Sequence, residues 1–292
     1  MCTAVFIKNK SALFGRNLDL DYHYSESVVM VPRKFSLEFK NLPAEKEHFA
    51  IIGAAFLKNG YPLFYDAVNE HGLSAAGLNF PESAVYFPEK AGFYNVASFE
   101  LIPWILSSCS NLFETKEKLS KVNVLSTDFE KGLPATPLHW IFADKTGCIV
   151  VESVAEGLKI HENPLGVLTN EPPFEKQIES FEHGDFSGRN PKEISSKKRF
   201  AKAISVKEKA AEAEDFLPQF FHILSAVERI EQKNDRQKTV YSSCMDLETA
   251  TYYYRTYENS RLTAVALKKE DFLGEKIASY PFNFGNDIFY QN

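Results

Sequence analysis

Cys2 is the residue around which chemistry can be organised in this chain. An initiator Met followed by a small side chain is a substrate for methionine aminopeptidase, and its removal would give Cys2 a free α-amine beside its own thiol. That amine, with an ordinary pKa of about 7.7–8.0, exists partly as free base near neutral pH. A thiol near about 8.5 is the side chain most easily turned into a nucleophile. One residue then supplies nucleophile and base together, without a separate His. The competing reading of Cys2 is a small apolar side chain buried in a strand. Its neighbours bear on the choice. Thr3–Ile7 and Ala12–Asn17 flank Lys8-Asn9-Lys10-Ser11 and read as a hairpin. With the turn centred on Asn9, Cys2 faces Arg16; half a step later it faces Asn17. Either register brings the fixed positive charge of Arg16 beside the N-terminus, where it favours thiolate. Asp19 has the opposite strand parity, so Arg16 and Asp19 share one site only if the chain bends near Asn17 or Leu18; otherwise they read as a surface ion pair.

Other chemistries find no support. There is no GxxxxGK(S/T) phosphate loop and no GxGxxG after a strand. Gly72-Leu-Ser74-Ala-Ala-Gly77 has one residue too many between Ser and Gly for a nucleophile elbow. The seven His are scattered, without HExxH or a Cys/His quartet, so neither a metal nor a cofactor is expected. Asp19 and Asp21 have no further carboxylates nearby, and Asp21 reads as solvated. The four Cys, at 2, 109, 148 and 244, form no CxxC pair and are too sparse for a disulfide framework.

Across 292 residues, 44% hydrophobic and 25% charged content are ordinary globular values, which sets disorder and collagen-like structure aside. A net charge of −6 offers no basic face for a nucleic-acid partner. Aromatics reach 14%, with 25 Phe, more than packing a core of this size demands. Met1–Arg16 lacks the marks of a signal peptide, and position 2 is not the Gly that myristoylation needs. The apolar stretch Leu101–Ser107 is short and interrupted by Pro103. A cytoplasmic protein with no membrane partner is expected.

The elements that must position Cys2 follow from periodicity. After the hairpin, Ala50–Leu57, Leu63–Val68 and Leu73–Asn79 read as strands, with Asn59-Gly60 and His71-Gly72 as turns. Val96–Cys109 and Leu112–Val122 read as helices, the second opened by Ser110/Asn111 with Glu114 near the capping-box position. Strands resume at His139–Ala143, Cys148–Val154 and Gly166–Thr169, followed by helices at Glu193–Glu212 and Asp215–Glu231. Val240–Ser243, Thr251–Tyr257 and Leu262–Leu267 close the chain as strands. This order fits two stacked sheets with helices on the outer faces, and no linker or repeat divides it, so one domain over 1–292 is expected, its mature form starting at Cys2.

Met-Cys2-Thr-Ala, Phe14-Gly-Arg16-Asn-Leu-Asp19, Ala76-Gly-Leu-Asn79-Phe-Pro81, Pro137-Leu-His139-Trp140 and Leu168-Thr-Asn170 together resemble the choloylglycine hydrolase family, the bile salt hydrolase and penicillin V acylase branch of the N-terminal nucleophile hydrolases. Asn95–Leu106, Tyr241-Ser-Ser243 and Tyr252–Val265 extend the likeness to the last strands.

The resemblance implies a four-layer αββα sandwich, an α+β fold of mostly antiparallel sheets. It implies attack by Cys2 on an amide carbonyl, with the α-amine passing the proton to the leaving amine. Arg16 and Asp19 match the residues that tune and hold the nucleophile, Asn170 and Asn79 match the oxyanion-hole positions by side chain and backbone, and Arg199 matches the distant basic residue. Leu18, Tyr24 and Leu133 lie in segments resembling the pocket loops, or are packing residues. Asn79, where penicillin V acylases commonly carry Tyr, favours a conjugated bile salt cleaved to bile acid plus glycine or taurine. Penicillin V or another N-acyl amide is the alternative, and an inactive bile-acid-binding relative the second. Family members form homo-oligomers through a loop that assembles a tetramer. Pro173–Arg199 is shorter here, retaining only Ser187-Gly188-Arg189 and Ser195-Ser196, so a smaller assembly such as a dimer is expected.

Overall fold

Most strands carry apolar side chains on both faces, which a sheet does when both faces are covered. The computed structural model describes residues 1–185, 195–210, 216–231, 233, 236–288 and 290–291. Its strands are, in order, β1 (Cys2–Lys8), β2 (Ala12–Leu20), β3 (Ser27–Val31), β4 (Ile51–Lys58), β5 (Tyr61–Asn69), β6 (Ser74–Asn79), β7 (Tyr94–Ala97) and β8 (Val122–Leu125). There follow β9 (Leu138–Asp144), β10 (Gly147–Val154), β11 (Gly157–Glu162), β12 (Val167–Leu168), β13 (Lys238–Asp246), β14 (Thr251–Thr256), β15 (Thr263–Ala266) and β16 (Ala278–Pro281). The α-helices are α1 (Leu101–Leu106), α2 (Leu112–Leu119), α3 (Phe174–Glu182), α4 (Ser196–Ala210) and α5 (Phe216–Ser225).

One sheet runs β12-β1-β2-β13-β14-β15 and the other β11-β10-β9-β6-β5-β4-β3-β16, with antiparallel neighbours throughout; β7 and β8 form a small parallel pair. The strand period sorts the layers. In β1, Cys2, Ala4 and Phe6 enter the core shared with Ile52, Ala54, Ala76 and Ile141 of the facing sheet, whereas Val5 and Ile7 pack outward on Phe220, Ile223 and Leu224 of α5. In β9, Ile141 and Ala143 point inward, while Trp140 and Phe142 pack outward with α1. The result is the αββα order expected.

Gly15 shows how tightly β2 and β13 approach: a Cβ there would fall on the Ser243 carbonyl. The capping of α2 follows the sequence, with Asn111 Oδ1 taking Glu114 N–H and Glu114 reaching back to Ser110 N–H at 2.7 Å. Other expectations need correction. Val96–Cys109 is not one helix: Val96 and Ala97 end β7, a 3-10 turn follows, and only Leu101–Leu106 is α-helical. Val122 opens β8 rather than ending a helix, α5 stops at Ser225, and α3 is a helix to which the sequence pattern assigned no element. The ends of the helix expected over Glu193–Glu212, and Ser187-Gly188-Arg189, lie outside the described residues.

Candidate active site

Hairpin register decides what faces Cys2, and neither expected register occurs. The turn centres on Lys10, so Cys2 pairs with Leu18, Thr3 with Asn17 and Ala4 with Arg16. Leu18 and Arg16 therefore share the inward face of Cys2, with Arg16 diagonal to it. The charge still reaches the thiol, one pair further along than expected.

Arg16 is fully buried. Its Nη1 donates to the carbonyls of Gly77 and Tyr65 (3.1 Å for the latter) and its Nε to Asn17 O. Burial works against the charged guanidinium, but Cys2, Tyr241, Asp66 and Asp19 together raise Arg16 above its ordinary value, so it stays a cation. Asp66, wholly buried on β5, takes hydrogen bonds from Tyr241 (2.5 Å) and Tyr252 (2.6 Å). Burial raises the Asp66 carboxyl, with Arg16 and these hydroxyls opposing. Asp66, Tyr241 and Tyr252 were missed as charge partners of Arg16: a lone Asp in a strand-like run carries no signal of what faces it.

β2 runs unbroken from Ala12 to Leu20, and the irregularity beside Leu18 lies in its partner: β13 bulges, its register against β2 shifting between Thr239, opposite Asp19, and Tyr241, opposite Leu18. Asp19 is buried. Its Oδ1 accepts from Thr239 Oγ1 at 2.7 Å, while its Oδ2 has no partner. The backbone of Asp19 pairs with Met1: the Met1 ammonium donates to Asp19 O (3.0 Å) and Asp19 N–H to Met1 O (2.9 Å).

Asn170 follows β12 and reaches Cys2 directly. Its Oδ1 accepts from Cys2 N–H at 2.7 Å and from Arg199 Nη2 at 2.8 Å, and its Nδ2 donates to Asn79 O at 2.8 Å. A carboxamide nitrogen carries two N–H groups, so one is left for another acceptor. Arg199, one of several Lys and Arg in sequence, is fully buried on α4; Nη1 donates to Cys2 O and to Thr3 Oγ1 (2.8 Å for the latter). Asn170 is held in turn by Ser196 Oγ, which accepts its N–H (2.9 Å), and by Gln177 Nε2, which donates to its carbonyl (2.8 Å). Ser196 was visible as part of Ser195-Ser196; Gln177, on the unread α3, was not.

Cys2, Arg16, Asp19, Asn79, Asn170, Arg199 and Leu18 thus converge at one end of the sheet interface. Tyr24 and Leu133 stand outside this hydrogen-bonded set. Tyr24 lies 38% exposed in the loop after β2, its ring 6.1 Å from Phe56 and its hydroxyl donating to Tyr22; that bond first, then burial, pushes it up to about 12. Burial also raises Tyr65, with Tyr24 adding and Arg16 opposing, so both lie within electrostatic reach of Tyr65. Leu133 sits in a turn whose Phe129 packs on Tyr61 and Phe99.

Chemically, the arrangement offers a sulfur nucleophile beside a buried cation and an amide N–H donor. The other cysteines are poor candidates: burial pushes Cys148 up to about 12, Cys109 upward and Cys244 far upward. Among the described residues no cluster of His, Cys, Asp and Glu is placed to hold a metal ion, and no helix is long and apolar enough to cross a membrane.

A model of the linear amide C-N hydrolases, choloylglycine hydrolase family, matches residues 2–199 and 175–280. A bile salt hydrolase/transferase of Lactiplantibacillus plantarum is 39% identical over 96% of this chain and 97% of its own. A second bile salt hydrolase/transferase, from Clostridium perfringens, is 33% identical over 97% of each chain. The crystal structure of a variant of conjugated bile acid hydrolase from Clostridium perfringens superposes with a TM-score of 0.92 over 100% of both chains, at 30% identity. A penicillin V acylase from Agrobacterium tumefaciens, 18% identical, shares the fold at a TM-score of 0.77 over 96% of this chain and 90% of its own.

Proposed function

The chain belongs to the choloylglycine hydrolase family of linear amide C-N hydrolases, and on that premise we propose that it cleaves conjugated bile salts into free bile acid plus glycine or taurine. The observation that carries the reading is Asn170, whose side chain links Cys2 N, Arg199 and the Asn79 carbonyl while keeping one N–H unspent. The relatives named for bile salt cleavage, at 39% and 33% identity, support the substrate class.

In this mechanism Met1 is first removed, which turns Cys2 N from an amide into an amine. The amine takes the thiol proton, and Sγ attacks the substrate carbonyl carbon. The oxygen gains the electron pair and meets the free N–H of Asn170, while Arg16 steadies the thiolate. One such donor is worth roughly 10²–10³ in rate. Collapse breaks the C–N bond as the α-amine returns the proton to the leaving nitrogen. Water then attacks the thioester by the same route and releases the bile acid. Asp19, with a buried carboxylate oxygen lacking a partner, holds the new α-amine. Leu18, on the inward face of Cys2, with Tyr24 and Leu133 further out, lines the path of the steroid.

The test is release of glycine or taurine from conjugated bile salts by wild type and Cys2→Ala, with intact mass reporting loss of Met1. Wild-type release abolished in Cys2→Ala is expected. Turnover of penicillin V alone would replace the substrate and keep the mechanism. Bile-acid binding without any turnover would make the protein a silent relative.

A further inference from the structure

Behind the candidate oxyanion site lies a buried pair that the mechanism above leaves unused. His139 on β9 and Glu152 on β10 are directly opposite one another and almost wholly buried, with His139 Nδ1 2.9 Å from Glu152 Oε1. The other ring nitrogen, Nε2, lies 2.8 Å from the carbonyl of Thr169, the residue before Asn170. One face of the ring stacks on Phe80, the residue after Asn79, at 4.2 Å between centroids and 7° between planes. Glu152 also accepts the N–H of Phe174, at 3.0 Å, where α3 begins. The pair therefore grips the Thr169–Phe174 segment at both ends and braces the residue next to Asn79. His161 approaches Glu152 from the far side, Nε2 to Oε2 at 3.9 Å, with Glu175 beyond it at 3.7 Å.

We infer that His139 and Glu152 are positioning residues that fix the distance between Asn79 and Asn170, and so aim the unspent Asn170 N–H at the oxyanion; the inference rests on the amidase reading above. His139 sits between a carboxylate on one side and a carbonyl on the other, each within hydrogen-bond distance of a ring nitrogen. Two hydrogen bonds hold the segment, and the stacked ring holds Phe80 beside Asn79. An oxyanion donor must lie within a few tenths of an ångström of its target to be effective, so a small slackening costs turnover before it costs binding. A Gln at 152 can keep both contacts, its amide nitrogen in the place of Oε1 donating to Nδ1 and its oxygen in the place of Oε2 accepting from Phe174 N–H. An Ala leaves both groups without a partner.

Steady-state hydrolysis of a conjugated bile salt, with penicillin V in parallel, is measured beside the rate at which iodoacetamide alkylates Cys2. Alkylation needs the thiolate but forms no oxyanion. Glu152→Ala is expected to lower kcat about ten- to a hundredfold, with KM and the Cys2 alkylation rate changed less than about twofold and Glu152→Gln restoring most of the turnover. Phe80→Leu, which removes the stacked ring but keeps apolar bulk, is expected to show the same split more weakly, and decides the matter if Glu152→Ala does not fold. Unchanged kcat in the folded variants would overturn the positioning role, as would alkylation falling in step with turnover. Wild-type silence on both amides would overturn the amidase reading, and with it the role; wild-type turnover with insensitive variants would sink the positioning role alone.

Discussion

A thiol becomes a nucleophile by its surroundings, and at Cys2 the decisive neighbour is Arg16. The guanidinium is held by a fan of carbonyls, from Gly77, Tyr65 and Asn17, that no ammonium can reproduce from one point. Arg16→Lys is therefore expected to move the charge. With the charge moved from its place near the sulfur, the Cys2 alkylation rate near neutral pH should fall, by roughly tenfold for each pKa unit that the thiol rises. Alkylation at the wild-type rate would show that the cation does not act on the sulfur. Cys2 and its neighbour Arg16 are legible from residue chemistry and strand pairing, whereas Asn79, Asn170 and Arg199 are reached only through the family resemblance. What could not be read was their mutual charge balance. Asp66 meets Arg16 only because two sheets stack, and its partners Tyr241 and Tyr252 come from strands about 175 and 186 residues away in sequence.

At the scale of elements, short apolar runs bounded by turn residues located most strands, and the order of strand and helix blocks gave the layers. The hairpin register was not legible: Lys8-Asn9-Lys10-Ser11 has no Gly to pin the turn, and one step changes every cross-strand partner. β7 was hidden in an apolar run that also serves the following helix, and β3 in a short valine-rich stretch. The junction between β3, β4 and β5 makes its own prediction. Glu70, just past β5, takes Arg33 Nε at 2.9 Å and Ala50 N–H at 2.7 Å, tying the entry of β4 to the exit of β5. Burial pushes the Glu70 carboxyl up, but Arg33 and the Ala50 amide together leave it below its ordinary 4.5. A carboxyl lowered in the folded state binds more protons when unfolded, so it stabilises above its ordinary value, and that contribution is lost as pH falls through the lowered one. Glu70→Gln should lower Tm near neutral pH and flatten its fall below about pH 4.5 relative to wild type. Parallel Tm curves for the two proteins would show that the pair adds nothing to stability.

The whole molecule is shorter than a relative it matches along almost its full length. The alignment to the Lactiplantibacillus plantarum protein runs over 315 positions, more than the 292 residues of this chain, so the relative carries residues that have no counterpart here. The family match breaks into two blocks that meet at 175–199, the same stretch that reads as short in sequence. α3 ends at Glu182 and α4 begins at Ser196, and both pack on the segment that carries Asn170, through Gln177 and Ser196. Both helices thus keep their hold on the site. By the family resemblance, that stretch is where an arm that helps assemble a tetramer is expected, and it is short here. A stable interface buries about 1,200–2,000 Å², and an arm is an economical way to reach that area without covering an active-site mouth. Without it, the chain should assemble no further than a dimer while keeping full turnover per subunit. Light scattering across a range of protein concentrations, with hydrolysis measured on the same samples, checks this. A stable tetramer would show that assembly is carried by surfaces other than the arm, and turnover that vanished on dilution would show that a neighbouring subunit completes the site.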